Sequence, residues 1–311
     1  MLSRRLLRIK VLKALYTHFK SETDSMNVSE KNLLFSVTKT YELYLQLLSL
    51  AVDVADYAVS RIELGRKKML PTESELNPNM RFVENAAVQK IRDCEALCDT
   101  LEMHSLGWSQ YPEVIKRLYN CLEQSDFYKE YMSAPKNTFA DDVALLENFF
   151  INVVQDNEAV EAAIEEQSIM WMDDLDFALI LVVKTLQNLK ATRPMSLLPQ
   201  FKNSDDRDFA KVLFRNAVFN NVEYFEYIDR FTKNWDVDRI AFMDRLIMLA
   251  ALAEVVSFPE VPVKVSMNEY IEISKYYSTP DSSTFINGVL DKIIEHLKSE
   301  GKFEKIGRGL I

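Results

Sequence analysis

The stretch VPVKVSMNEYIEISKYYSTPDSSTFINGVLDKI, residues 261–293, predicts two helices separated by a short loop. Pro262 suits the start of a helix, where its fixed φ is favourable and its missing amide donor does no harm. Asp281, Ser282 and Ser283 come just before apolar residues at helical spacing, so they are candidates for the N-cap of the second helix. We therefore expect a helix pair to close the fold.

The rest of the chain has the composition of an all-α protein. Only six glycines occur in 311 residues, and long stretches consist of residues that lose little rotamer freedom in a helix. Residues 31–63 carry apolar side chains at three- and four-residue steps, which predicts a long amphipathic helix. The stretch 65–80 contains two prolines and several turn formers and predicts an exposed connection. We expect one or two compact helical domains.

An internal repeat links two parts of the chain at an offset of 64 residues. Eight identities fall within 33 gapless positions, against about two expected by chance, and they include the rare pair Trp171 and Trp235. The other identities are Asp142 and Asp206, Phe150 and Phe214, Asn152 and Asn216, Val154 and Val218, Asn157 and Asn221, Ile164 and Ile228, and Asp174 and Asp238. We interpret this as a duplicated helix-turn-helix unit.

The charge of the chain is unevenly distributed. A formal net charge of −10 argues against a protein that coats nucleic acid through bulk electrostatics, so any phosphate contact must be local. The first sixteen residues are basic, and Arg4, Arg5 and Arg8 would lie within an arc of about 100° on a helix. Guanidinium groups suit phosphate oxygens and stack on unpaired bases, although short basic starts are commonly just solvated helix faces.

The cysteines and the apolar stretches bear on three questions: the cellular compartment, metal binding and membrane insertion. Three cysteines, Cys94, Cys98 and Cys121, make a disulfide framework improbable and favour the cytoplasm. Cys94 and Cys98 with His104 are at most a partial zinc site, since no fourth ligand has a usual spacing, so we expect no metal. No run of about 18 uncharged apolar residues occurs, so we expect no membrane span.

The closing segment resembles the last two helices of the NusB family of transcription antitermination factors. That family pattern is an opening proline, an asparagine–glutamate pair, and F-[VI]-N-G-V-L-D-K, which correspond to Pro262, Asn268 and Glu269, and residues 285–292. The family's tryptophan-containing turn and following helix resemble residues 234–255. Its arginine-rich first helix, ending in Ala-Leu-Tyr, resembles residues 4–16.

The resemblance implies an all-α, NusB-like bundle with a large insertion. Residues 1–20 and 206–297 would form a discontinuous RNA-binding domain, and residues 298–311 a tail. Residues 21–205 would be an inserted helical region that contains a copy of the 206–269 unit. The role of the insertion is left open: it could support the first helix, enlarge a partner surface or prevent homodimerisation.

The same resemblance implies an adaptor without cofactor or catalytic site. NusB proteins pair with a small-subunit ribosomal protein, NusE, and hold boxA single-stranded RNA of ribosomal RNA leaders in the transcription elongation complex. Transferred by position, the phosphate contacts are Arg4, Arg5 and Arg8, the base contacts are Asp281, Ser282 and Phe285, and the contacts to the ribosomal protein are Tyr16 and Asp244.

Several of these side chains also have a structural interpretation. Phe285 is either a stacking platform or an ordinary core aromatic. Asn287 is either an RNA contact or a buried hydrogen-bonding group, and the buried role is favoured. Gly288 costs about 1 kcal/mol relative to alanine inside a helix, so we expect another backbone or a ligand to approach it closely. Trp235 is expected to anchor the core.

Two other classes of function remain as alternatives. NusB-like domains also precede ribosomal RNA cytosine methyltransferases, which would make the chain an accessory domain, but no glycine-rich cofactor loop follows the motif. The three histidines have no evident nucleophile or base partner, which argues against an enzyme. The second alternative is a helical protein-interaction module that has lost RNA binding.

Overall fold

The computed structural model describes residues 1–21, 25–233 and 240–310, except for the side chain of Arg308, and these residues form helices and connections with no β-strand. The all-α prediction is therefore confirmed. The α-helices are α1 Arg4–Lys20, α2 Met26–Arg66, α3 Glu73–Leu76, α4 Ala86–Arg92, α5 Glu95–Met103, α6 Pro112–Gln124, α7 Asp126–Ser133, α8 Phe139–Phe149, α9 Glu158–Gln167, α10 Leu175–Gln187, α11 Ser204–Phe219, α12 Asn221–Phe231, α13 Phe242–Ser257, α14 Val263–Tyr277 and α15 Ser282–Ser299.

The chain divides into two compact units. The inserted unit comprises residues 38–200 together with Met1, and the discontinuous unit comprises residues 2–37 and 201–311. The sequence placed the boundaries at residues 20/21 and 205/206, whereas the structure has them at 37/38 and 200/201. Helix α2 accounts for part of this difference, because its first turns belong to the discontinuous unit and the remainder to the inserted unit.

Helix α13 is the central helix of the discontinuous unit. Every side chain from Leu246 to Ala253 is fully buried. A helix that is apolar all round must be enclosed by neighbours, and here α1, α11, α12, α14 and α15 pack against it. Helix α1 starts at Ser3, whose hydroxyl accepts a hydrogen bond of 3.2 Å from the amide of Leu6.

The residues after α15 pack back onto this unit. The Lys305 ammonium donates hydrogen bonds of 2.8 and 3.0 Å to the carbonyls of Val255 and Phe258, at the end of α13. Helix ends leave carbonyls without partners, and a lysine there satisfies them. Gly309 lies so close to the Pro259 carbonyl that a Cβ would be 2.0 Å from its oxygen. The described residues of the predicted tail, 298–310, thus contact the discontinuous unit through Lys305 and Gly309.

Helix α2 provides much of the core of the inserted unit. Its backbone accepts hydrogen bonds from two tryptophans, Trp171 to the carbonyl of Lys39 (2.6 Å) and Trp108 to that of Gln46 (2.8 Å). By length and composition, α2 is the one helix in the described residues that could cross a membrane, with a mean hydropathy of 1.2 over 18 residues. Because 67% of that window is buried, α2 has the properties of a core helix.

The two copies of the repeat have matching helices. At the offset of 64 residues, α8, α9 and α10 correspond to α11, α12 and α13, and the bounds of α9 and α12 agree within one residue. Phe150 and Phe214 are both fully buried, as are Ile164 and Ile228 to within 2%. These correspondences support the duplication hypothesis. The identities at Trp235 and Asp238 lie outside the described residues.

An aspartate has a similar role in each copy. Asp142 on α8 accepts a 3.0 Å hydrogen bond from the amide of Ala86, at the start of α4. Its counterpart Asp206 on α11 accepts one of 2.8 Å from the side chain of Arg4, at the start of α1. Each aspartate therefore anchors the first turn of a neighbouring helix.

Candidate nucleic-acid interface

The arginines of α1 all have carboxylate partners. Arg4 pairs with Asp206 at 2.8 Å and lies 5.1 Å from the ring centroid of Phe209. Arg5 donates two parallel hydrogen bonds of 2.9 Å to Glu269 on α14, and 48% of its side chain is exposed. These bonds raise the pKa of Arg5 and lower the pKa of Glu269. The side chain of Arg5 is more exposed than that of Arg4, which is 38% exposed.

Arg8 lies in the core. Its guanidinium donates two hydrogen bonds of 2.7 Å to Glu254, which is fully buried on α13. Burial by itself would lower the pKa of Arg8, but the hydrogen bonds and charge of Glu254 outweigh it and raise the pKa. We therefore revise the expectation for Arg8, because a guanidinium that pairs with Glu254 and Glu269 and whose side chain is only 4% exposed has almost no surface to offer to a phosphate.

Glu254 has further partners. Ser266 Oγ donates to it at 2.7 Å and the Tyr270 hydroxyl at 3.0 Å, both from α14. Burial raises the pKa of Tyr270 well above its usual value. A buried charge requires this degree of compensation, so the network fixes α1 and α14 on the central helix.

A row of lysines and aromatic rings lies along the second half of α1. The Lys13 ammonium is 5.7 Å from the ring centroid of Tyr277 on α14, and that of Lys20 is 4.5 Å from Phe242 on α13. Tyr16, 42% exposed, makes an edge contact with Phe242 at 5.8 Å between ring centroids. We call these five residues the basic–aromatic strip.

The strip includes residues that the sequence analysis did not assign. The NusB resemblance implies a contact between Tyr16 and the ribosomal protein but implies no role for Lys13 or Lys20. Their spacing of three and four residues around Tyr16 places all three on one helix face, which was a usable signal. Tyr277 and Phe242 had no comparable signal, because their positions beside α1 depend on tertiary packing.

The loop between α14 and α15 is organised by a buried aspartate. Asp244 on α13 accepts hydrogen bonds from Ser278 and from Ser282, the latter at 3.0 Å. Ser282 also accepts a 3.2 Å bond from the amide of Thr279. Asp244 and Ser282 are buried, so they hold the loop in shape and present little side-chain surface to the ribosomal protein or to a base, which revises the expectation for both.

The other predicted base contacts lie at the start of α15. Asp281 occupies the N-cap position and is exposed, without a capping hydrogen bond from its side chain. Phe285 is partly buried, one helical turn further on. Asp281 and Phe285 thus remain candidate RNA contacts.

The comparisons identify the chain's relatives. The profile of the NusB family matches residues 183–295. The transcription antitermination protein NusB of Salinibacter ruber is 43% identical over 122 residues, 39% of this chain and 76% of that protein. The NusB proteins of Chloroherpeton thalassium and Natranaerobius thermophilus are 43% identical over 97 residues and 40% identical over 95. These matches cover 31% and 30% of this chain, and 46% and 68% of the two relatives.

The chain belongs to the NusB family. No solved structure matches it significantly. The region matched by the family profile begins on α10, in the inserted unit, and continues through the discontinuous unit to α15. The proteins it resembles are named for transcription antitermination.

The NusB motif on α15 differs from expectation at two positions. Asn287 is exposed, so the expectation of a buried amide is wrong. Gly288 is exposed as well, and a Cβ there would have no neighbouring atom within 4 Å. No part of the described chain therefore approaches this glycine closely.

The partial zinc site of this NusB-family chain is not assembled. Cys94 is buried while Cys98 is exposed, its thiol 3.5 Å from the carbonyl of Arg92. His104 Nδ1 lies 3.2 Å from Glu42. Among the described residues, no three histidine, cysteine or acidic side chains come together in a way that could hold a metal ion.

Proposed function

We propose that this NusB-family chain is a cytoplasmic transcription antitermination factor, an adaptor that binds boxA-type single-stranded RNA together with the small-subunit ribosomal protein NusE in the transcription elongation complex. The observation that carries the RNA part is the basic–aromatic strip. Single-stranded RNA is bound by cations that contact the backbone and aromatic rings on which bases stack. Lysine ammonium groups and aromatic rings lie next to each other along this strip.

Arg5 extends the cationic row beyond the strip. Arg5 contacts Glu269, and Lys13 contacts Tyr277. Lys13 comes eight residues after Arg5 on α1, and Tyr277 comes eight residues after Glu269 on α14. Helices α1 and α14 therefore run in the same direction, both packed on α13, with Arg5 and Lys13 about two turns apart. We assign phosphate contacts to Arg5, Lys13 and Lys20, and a contact with the ribosomal protein or a base to Tyr16.

One observation favours the alternative of an interaction module without RNA binding. Arg4, Arg5 and Arg8, the arginines expected to meet phosphate, are each paired with a carboxylate of the same chain. A phosphate would have to displace Glu269 from Arg5 or share that guanidinium with it. The two functions therefore make different predictions for a direct titration.

The test is a fluorescence anisotropy titration of boxA RNA with the full chain, with and without the ribosomal protein. The triple variant Arg5→Ala, Lys13→Ala, Lys20→Ala is expected to bind at least about tenfold more weakly, with a salt slope reduced by about 2. The matched control replaces three exposed lysines elsewhere in the same unit, Lys264, Lys292 and Lys298, by alanine. RNA binding that is absent in the wild type, or equally weakened by both triple variants, would contradict the proposal.

A further inference from the structure

The two units differ sharply in charge. Residues 38–200 contain 15 lysines and arginines and 26 aspartates and glutamates, a net charge of −11. The remaining residues contain 22 basic and 21 acidic side chains, a net charge of +1. The acidity of the whole chain therefore resides in the inserted unit.

Within that unit, one copy of the repeat accounts for the charge. Residues 137–183, which include α8, α9 and the start of α10, contain eleven acidic residues and neither lysine nor arginine. The corresponding residues 201–247 contain nine acidic and eight basic residues. At two corresponding positions the sign of the charge is opposite: Glu147 corresponds to Lys211, and Glu166 corresponds to Arg230. The two copies share buried positions, such as Phe150 and Phe214, and differ in charge.

A groove lies on this acidic surface. It has a volume of about 370 Å³ and is lined by Glu161 and Glu165 on α9, Asp176 on α10 and two further aspartates. Glu161 and Glu165 are one turn apart on the same face of α9. Like charges at this spacing destabilise a helix, so the arrangement is unfavourable until a cation binds.

Apolar side chains border the carboxylates. Met172 lines the groove and is 53% exposed. Ile169, just before it, is 75% exposed, and Ile180, one turn beyond Asp176 on α10, is 51% exposed. Neighbouring exposed apolar residues mark interaction surfaces, and methionine adapts to partners of varied shape. A simple metal ion would use only the carboxylates, whereas a peptide with both cationic and apolar side chains would use both groups.

We propose that the α9–α10 face of the inserted unit docks a lysine- and arginine-rich amphipathic segment of a partner protein. Charge complementarity determines the choice of occupant, since the five carboxylates that line the groove, in a stretch with neither lysine nor arginine, attract basic side chains and repel phosphate. The inserted unit then adds a protein-binding surface that is independent of the RNA contacts assigned to α1. The proposal goes beyond the antitermination function and does not depend on it.

The test uses the full chain and a fluorescein-labelled 18-residue peptide in which lysine and leucine alternate at helical spacing. Anisotropy is measured at 50 and 150 mM salt. The triple variant Glu161→Gln, Glu165→Gln, Asp176→Asn is expected to bind at least about tenfold more weakly at low salt and to lose much of the salt dependence. Its melting temperature should not fall, since the substitutions remove repulsion between like charges.

A matched control and an apolar variant complete the experiment. Glu95→Gln, Asp99→Asn, Glu102→Gln neutralises three exposed carboxylates of α5 in the same unit, and its affinity should stay within twofold of the wild type. Met172→Ser should weaken binding several-fold without changing the salt dependence. Equal losses in both triple variants, or displacement of the peptide by single-stranded RNA, would overturn the proposal.

Discussion

Replacing Arg8 by methionine tests whether this arginine serves the core or the RNA. The substitution removes a cation whose side chain is 4% exposed and leaves Glu254, which is fully buried, without its bidentate partner. Breaking a buried ion pair by removing one member costs about 3–5 kcal/mol. Domains of this size have total stabilities of about 5–15 kcal/mol, so the single variant should lose a large part of the stability of the discontinuous unit.

Adding Glu254→Gln should recover most of this loss. The neutral amide can keep hydrogen bonds with Ser266 and Tyr270, which now donate to Glu254 at 2.7 and 3.0 Å. Replacing both members of a buried pair by neutral groups of similar size is often nearly neutral. We expect the double variant Arg8→Met, Glu254→Gln to lie within about 2 kcal/mol of the wild type, with a coupling energy of about 1–3 kcal/mol.

Two assays are needed. Urea unfolding followed by far-UV circular dichroism gives the stability, with separate transitions fitted where the two units unfold independently. Titration of boxA RNA at several salt concentrations then gives the affinity and the salt slope of the double variant. If Arg8 has only a core role, the RNA affinity and the salt slope of the double variant should both equal the wild-type values.

Two results would refute this reasoning. A single variant that loses less than about 1 kcal/mol would mean that Glu254 does not need its partner, against the expected cost of an unpaired buried charge. A stable double variant whose RNA affinity falls tenfold, with a salt slope smaller by about 0.7, would identify Arg8 as a phosphate contact.

Three further predictions follow from particular contacts. Glu269→Gln removes the carboxylate that competes for Arg5, so boxA affinity should rise about threefold or more; an unchanged or weaker affinity would mean that Glu269 positions Arg5 and does not compete with RNA. Burial raises the pKa of Asp53 to about 6, so its ionisation opposes folding increasingly from about pH 4 to pH 6 and fully above pH 6. Asp53→Asn should therefore stabilise the protein by about 1–2 kcal/mol at pH 7.5, after allowance for partial exposure, and not at pH 3.5; a urea titration showing equal gains at both pH values would disagree. Gly288→Ala should raise the free energy of unfolding by about 0.5–1 kcal/mol, because a Cβ there meets no atom within 4 Å; a loss of stability in the same assay would count against the exposed placement.

The sequence was sufficient for the fold class and for the position of the long helix α2, because these depend on local periodicity and composition. The predicted helix at residues 31–63 lies within α2, and the connection predicted after it contains only the short α3. The same helical periodicity also bears on whether Asn287 is buried. The buried residues of α15 include Ile286, Val289 and Leu290, and Asn287 lies about 100° from the centre of their face, at its edge.

The roles of the charged residues could not be predicted in the same way. The partner of Arg8 is 246 positions away along the chain, so nothing in its local sequence distinguishes a buried arginine from a solvated one. Asp244 and Ser282 are likewise 38 positions apart. Local sequence gives the number of cations on a helix face, whereas tertiary packing decides which of them remain accessible.

The two copies of the repeat help to separate structural roles that both copies share from features that only one copy has. Asp142 and Asp206 occupy corresponding positions and both anchor the start of a neighbouring helix, one through the amide of Ala86 and the other through Arg4. Since the anchoring role is present in both copies while the basic surface residues are present in only one, the Arg4–Asp206 pair belongs to the packing of the fold. For the RNA contacts of α1, this leaves Arg5, the most exposed of the three arginines, together with Lys13 and Lys20, which lie over aromatic rings.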